Sequence, residues 1–358
     1  MKLLEQIKIG DLTLKNRMAM APMTRSRASA EGIVGDMTAT YYVQRASAGL
    51  LISEAINISE QAIGSPFTPG LYTPEQIAAW KNVTDQVHAA GGVIFAQLWH
   101  TGRVGHSLVK HGVLPVSASA IGIKGQQHFT PDGMKDYETP RALSTEEVKQ
   151  VVQDYKTAAE NAKTAGFDGV ELHGAFGYLP NQFLVDGANH RTDEYGGSIE
   201  NRSRFVLEVM QALVDVWGPD KVAIKLSPSI PYNGMIDSNP EALFSYLIGK
   251  LNEMPLAYLQ LMQAMFPLTD LPHYPKDVLN TFGPLFNKTV MANGGFNRET
   301  AEAEIDNERA QMISFGAAFL ANPDLPKRFE LNAELNTADR ATMYGGGEKG
   351  YIDYPFLS

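Results

Sequence analysis

Of eight short apolar runs in this chain, all but Ala257–Met262 end in residues that could do chemistry, and the residue types at those ends differ from one run to the next. Met18–Pro22 runs into Met23, Thr24 and Arg25, and Leu50–Ala55 closes on Glu54 and Ala55. Val93–Leu98 carries Gln97 and continues into Trp99 and His100, while Gly169–His173 holds Glu171 and His173. Val222–Pro228 contains Lys225 and Ser227. The last two runs, Thr289–Asn293 and Met312–Gly316, lead into Gly294-Gly295 and, through Phe315, into Gly316-Ala317. Glycines in such places let backbone N–H groups approach a phosphate closely. Taken singly, the other residues have plain readings. His173 reads as a satisfied structural histidine, Tyr178 as a packed aromatic, Trp99 as a wall, Lys225 as a strand-end lysine and Thr24 as a turn cap. His100, His106 and His111 have no helical i, i+4 spacing and no carboxylate neighbours, so no metal site is expected. The chain has no cysteine, which excludes disulfides, thiolate nucleophiles and thiolate-held metals.

The elements that must position these ends follow from the pattern between them. The runs are almost continuously apolar, as in strands covered on both faces. Between them lie amphipathic stretches with helix start signals. Pro74–Ala90 follows Thr73 as N-cap, and Ser144–Ala165 opens on STEE. Ile199–Trp217, Pro240–Asn252 and Arg298–Asp306 follow the same logic. Strands alternating with helices over 358 residues predict a closed (β/α)8 TIM barrel, read as a single domain over residues 1–358. In such a barrel the C-terminal strand ends carry the site, which gathers the residues above at one mouth. Ile7–Lys15 alternates around Gly10-Asp11 and predicts a β-hairpin able to plug the opposite mouth. Gly102–Thr139, after the third strand, predicts a long loop overhanging the site, and the tail Tyr344–Leu357 a segment folded back over it. A net charge of −10 argues against nucleic-acid binding. The absence of an apolar leader or long apolar span predicts a cytoplasmic protein. Oligomeric state is not legible.

Several motifs resemble the Old Yellow Enzyme family of FMN-dependent ene-reductases that use NAD(P)H. They are APMTR (Ala21–Arg25), QLWHTGR (Gln97–Arg103), ELHGAFGYLPNQFL (Glu171–Leu184), NHRTDEYGGSIENRSRF (Asn189–Phe205), ANPDL (Ala321–Leu325) and YGGGEKGYIDYP (Tyr344–Pro355). Thr24, rather than cysteine, after the first strand resembles the classical branch. The resemblance implies FMN across the barrel mouth, against Pro22, Met23, Thr24, Ala55, Gln97, His173 and Lys225. Its phosphate would rest on Gly294-Gly295 and on Phe315, Gly316 and Ala317. Thr24 would donate to the flavin and tune its potential, and Gln97 would bond its pyrimidine edge. Hydride from NAD(P)H would pass through the flavin to the β-carbon of an α,β-unsaturated carbonyl or nitro compound. His173 would polarise the substrate oxygen and Tyr178 would protonate the α-carbon, with Trp99, Phe176 and Tyr351 as pocket walls. Arg191, Asp193, Tyr195, Asn201 and Arg202 read as structural, tying the loop after the fourth strand to the barrel.

Three positions depart from the family's pattern. Phe176 stands where a second donor to the substrate oxygen is usual, and losing one such donor costs roughly 10²–10³ in rate. Lys225 replaces an arginine, keeping charge without the planar fork. Ala317 replaces an arginine at the phosphate. Ser65 also stands where an aromatic wall is frequent. These departures leave two alternatives beside ene reduction: a degenerate barrel with weak flavin or ligand binding and little turnover, or a flavin-assisted isomerase.

Overall fold

The structure, a computed structural model, describes residues 1–357. Its centre is a closed barrel of eight parallel strands. They are β1 (Met18–Met20), β2 (Leu50–Ile52), β3 (Ile94–Trp99), β4 (Gly169–Gly174), β5 (Val222–Leu226), β6 (Tyr258–Met262), β7 (Thr289–Asn293) and β8 (Met312–Phe315). Each pairs in parallel with the next, and β8 closes on β1. The expected barrel is the observed one.

The apolar runs work as strands because alternate residues face two different cores. Phe95, Ala223, Tyr258, Met291 and Met312 pack inside the barrel, where Ile9 and Leu14 join them. Those two come from an antiparallel hairpin, Ile7–Ile9 with Leu12–Leu14, which therefore closes the N-terminal mouth. The other face of each strand meets the helices, as Ile94, Ala96, Val170 and Leu172 do. The helices begin where the caps predict. Thr73 and Gln76 form a capping box at Pro74–Ala89, and Ser144 and Glu147 form another at Thr145–Thr164. Removing either cap hydroxyl costs about 1 kcal/mol.

The segment after β3 is more structured than a plain loop. Val116–Ser117 pairs with Arg141–Ala142, and Gln127–Thr130 forms an antiparallel hairpin with Gly133–Asp136. The loop after β4 is tied down by side chains: Arg191 Nη1 donates to Ala118 O at 3.0 Å, and Asn189 Nδ2 to Phe183 O and Tyr195 O at 2.7 Å each. The tail is held by arginines. Arg25 donates to Met343 O and Gly350 O at 3.1 and 2.7 Å, and Arg27 to Gly347 O and Thr342 O at 3.0 and 2.9 Å. No helix among the described residues is long and apolar enough to cross a membrane.

Candidate active site

A cavity of about 1010 Å³ opens at the C-terminal mouth of the barrel. Its floor is built from strand ends: Pro22, Met23 and Thr24 after β1, Trp99 on β3, His173 on β4 and Lys225 on β5. Phe176 and Tyr178 line it from the loop after β4, and Ser65 and Phe67 from the segment after β2. The hairpin after β3 covers it with Gln127, His128 and Phe129, and the tail with Tyr344, Gly345 and Gly346.

His173 is buried, and its Nδ1 accepts the Ala175 N–H at 3.4 Å. That bond places the ring proton on Nε2, leaving a donor for a ligand. Burial, and then the charge of Lys225, hold His173 well below the usual imidazole range, so it is a neutral donor at working pH. Tyr178 caps the short helix Leu179–Leu184 and packs edge-on against both His173 and Trp99, with ring centroids 4.7 and 4.9 Å apart. Burial, then Tyr137, Tyr344 and Tyr232, raise its phenol above the ordinary value, so it stays protonated and able to donate. Phe176 has a left-handed backbone, φ +57°. Its N–H donates to Ser227 Oγ at 3.0 Å and its carbonyl accepts from Asn233 Nδ2 at 2.9 Å, which hold that conformation.

Lys225 is buried, lines the cavity, and makes no hydrogen bond or ion pair with another described residue. Its ammonium opens onto the cavity, where an anionic group of a ligand could pair with it. Burial brings it down to about 8, against the opposing pull of Glu171. No carboxylate side chain lines the cavity. Gly294 and Gly295, at φ +120° and +73°, adopt backbone angles that side chains resist. A Cβ on Gly295 would meet nothing within 4 Å, and the residue is exposed. Ala317 is exposed at the start of the helix Ala317–Ala321. The unpartnered cation on the floor and the cavity above it fit the flavin that the sequence motifs imply.

The expected residues divide into groups. Pro22, Met23, Thr24, Trp99, His173, Phe176, Tyr178 and Lys225 come together on the cavity. Gln97 and Ala55 lie buried among the strand ends, where the Gln97 amide donates to Glu171 at 2.8 Å. Gly294, Gly295, Gly316 and Ala317 lie outside the cavity wall, on the loops after β7 and β8. The Phe315 ring points away, into the helix layer against Phe319 and Phe329, so that only its backbone remains for a phosphate. Tyr351 is a correction: it is fully buried and does not line this cavity. Its ring stacks on Tyr41 at 4.4 Å, with the Arg27 and Arg25 guanidinium groups 4.6 and 5.0 Å from its centroid. The tail's wall residue is Tyr344, seven residues earlier and 69% exposed. Sequence reasoning missed Tyr344 and the hairpin aromatics. The adjacent Gly345–Gly347 run, which turns the tail across the mouth, was the available signal for the first.

Comparison with known proteins agrees with this geometry. The sequence model of the NADH:flavin oxidoreductase / NADH oxidase family matches residues 2–336. The chain is 45% identical over 361 residues to 12-oxophytodienoate reductase 1 of Oryza sativa subsp. japonica, covering 99% of this chain and 93% of that protein. Morphinone reductase in complex with tetrahydroNAD superposes with a TM-score of 0.94 at 47% identity, covering 100% of this chain and 98% of the other. An old yellow enzyme homologue from Zymomonas mobilis gives a TM-score of 0.95 at 41% identity, with 100% of both chains covered.

Proposed function

The chain belongs to the NADH:flavin oxidoreductase / NADH oxidase family, is an FMN-dependent ene-reductase of the Old Yellow Enzyme type, and on that premise we propose that it reduces α,β-unsaturated carbonyl or nitro compounds at this cavity. When bound, the flavin supplies hydride exchange between a reduced nicotinamide and the substrate's β-carbon. The chain's own residues do the rest. His173 Nε2–H donates to the substrate oxygen and stabilises the negative charge that grows there. Tyr178, beside it, delivers a proton to the α-carbon on the face its hydroxyl reaches. Thr24 stands at the end of β1 as a donor to the cofactor's carbonyl edge, and Lys225 supplies positive charge at its floor. Trp99 holds His173 and Tyr178 in place, with its ring centroid 6.5 Å from the first and 4.9 Å from the second. Phe176 gives apolar contact where a second donor would otherwise stand, so the site polarises the oxygen from one side.

The observation that carries this reading is the neutral His173 donor beside Tyr178 and above an unpartnered buried lysine. The test is a visible spectrum of the purified protein before and after FMN, followed by anaerobic titration with NADPH and then an enone. Flavin bands that bleach with NADPH and return with 2-cyclohexen-1-one are expected. A chain that takes up no FMN, or a reduced flavin that no enone or nitroalkene reoxidises, would overturn it.

A further inference from the structure

The hydrogen bonds beneath the cavity floor give work to a carboxylate that the reaction itself leaves unused. Glu171 is fully buried inside the barrel, two residues before His173 on β4. Its Oε1 accepts from Gln97 Nε2 and its Oε2 from Gln260 Nε2, each at 2.8 Å. Both oxygens act as acceptors, the pattern of an ionised carboxylate; burial pushes the carboxyl above its ordinary value, and the charge of Lys225 with the hydrogen bonds from Gln97, Tyr258 and Gln260 pull it back. The network continues outward. Ser314 Oγ donates to Gln260 Oε1 at 3.2 Å, and Asn293 Nδ2 donates to Ser314 Oγ at 2.8 Å, next to the Gly294-Gly295 turn.

Two things follow from this placement. The Gln97 amide cannot turn over, because the flipped rotamer would set its oxygen against a carboxylate. One N–H of its NH2 is committed downward to Glu171, and its Oε1 accepts from no described residue, so this amide turns its oxygen toward a ligand as an acceptor. Lys225, paired in register with His173 on the neighbouring strand, feels the same carboxylate. Of the groups facing Lys225, His173 on β4 is neutral. Tyr258 on β6 is kept in its phenol form by burial and by Glu171, and Gln260 opposite on β6 has no charge. Glu171 is the one charge set against Lys225.

We propose that Glu171 is a positioning residue, which fixes the Gln97 amide so that its oxygen meets the flavin's pyrimidine N–H and which keeps Lys225 an ammonium ion under the same ring. The proposal rests on reading the cavity as the flavin site. It makes the cofactor's potential depend on a lysine that can lose its proton within the working range, where an arginine could not. Two-electron reduction brings negative charge to the ring. Above the pH at which Lys225 is neutral in the oxidised protein, that charge draws one further proton onto its amine.

The experiment measures the midpoint potential of the FMN-loaded protein from pH 6 to 10, together with FMN affinity by fluorescence quenching. For the parent, the potential should fall more steeply above about pH 8, by an extra ~30 mV per pH unit, the value of one added proton in a two-electron couple. Glu171→Gln should move that break to lower pH by about one unit or more and weaken FMN binding about tenfold, with an unchanged circular dichroism spectrum. Lys225→Arg should remove the break altogether, and this variant decides the matter if Glu171→Gln does not fold. A break that stays put in folded Glu171→Gln, or that persists in Lys225→Arg, overturns the proposal. A parent chain that takes up no FMN would instead overturn the site assignment beneath it.

Discussion

Restoring a second hydrogen-bond donor at position 176 should raise enone reduction sharply. The substitution is Phe176→His, with Phe176→Asn as its companion. The backbone there is held from outside the side chain, through Ser227 Oγ at 3.0 Å and Asn233 Nδ2 at 2.9 Å, so the new side chain starts from the same Cα as the phenyl ring. It also costs no backbone strain. Position 176 sits at φ +57°, a region bulky aromatics avoid and asparagine and histidine enter more readily. A hydrogen bond to an oxygen gaining charge contributes about 1.5–3 kcal/mol, which corresponds to roughly 10- to 150-fold in rate. The assay is anaerobic stopped-flow reoxidation of the reduced flavin by 2-cyclohexen-1-one, with reduction by NADPH followed separately as a control that should hold constant. Phe176→Leu, which adds no donor, should show no gain. If folded, flavin-loaded Phe176→His and Phe176→Asn both reoxidise no faster than the parent, the substrate oxygen does not lie between positions 173 and 176. The polarising role given to His173 would then fall with it.

Three further outcomes are expected. Ala317→Arg, which puts a guanidinium beside the exposed backbone after β8, should tighten FMN binding about 10- to 150-fold by fluorescence titration of the apoprotein, and an unchanged Kd would place the phosphate elsewhere. Tyr178→Phe should leave flavin reduction by NADPH intact while slowing reoxidation by enones about 10²-fold or more, and equal reoxidation rates would remove Tyr178 from proton transfer. Burial pushes the Glu54 carboxyl up to about 7, against the pull of Arg25 and Arg27, from an ordinary 4.5. A raised carboxyl contributes stability that is complete below about 4.5 and lost as pH rises through about 7. The Tm of Glu54→Gln relative to the parent should therefore climb between about pH 4.5 and 7 and level off above that, and a difference flat with pH would contradict the assignment.

How far the site could be read without coordinates depends on whether local pattern or packing across the chain decides each residue. The strand ends were legible because strand period, helix caps and barrel geometry are local rules, and they brought Thr24, Trp99, His173, Tyr178 and Lys225 to one mouth. Helix starts at Pro74 and Ile199 were legible for the same reason. Tyr351 was misread because its fate is set by partners far away in sequence, Tyr41 and the Arg25 and Arg27 guanidinium groups, between which it stacks. Those arginines dock the tail through its backbone carbonyls, which no side-chain pattern advertises, and this shift moves Tyr344 to the wall instead. The Glu171 network was invisible in the same way. It joins residues from β3, β4, β6, β7 and β8 that only barrel register brings within bonding distance.

The energetics of the cavity floor argue that this chain folds toward an electron-rich ligand. A buried ammonium without a partner costs several kcal/mol, and an apolar side chain of similar volume in its place would be more stable. Lys225 retains that cost in a cavity lined by no carboxylate, in a chain with 40 acidic and 30 basic residues. Glu171 offsets part of it without forming an ion pair with Lys225, and its two oxygens each accept from a glutamine amide. The cavity side of the floor, onto which the ammonium opens, is where a ligand can add to that compensation. The His173 Nε2–H presents a further unspent donor on that side. An anionic ligand held there repays the lysine and stabilises the fold, by about 2.7 kcal/mol at a hundredfold excess over its Kd. On the proposed reading, Ala317 offers no guanidinium to the phosphate, which leaves this account at the ring untouched. On the proposed reading the loops after β7 and β8 bear on affinity alone, whereas the lysine and the carboxylate beneath it bear on both affinity and potential.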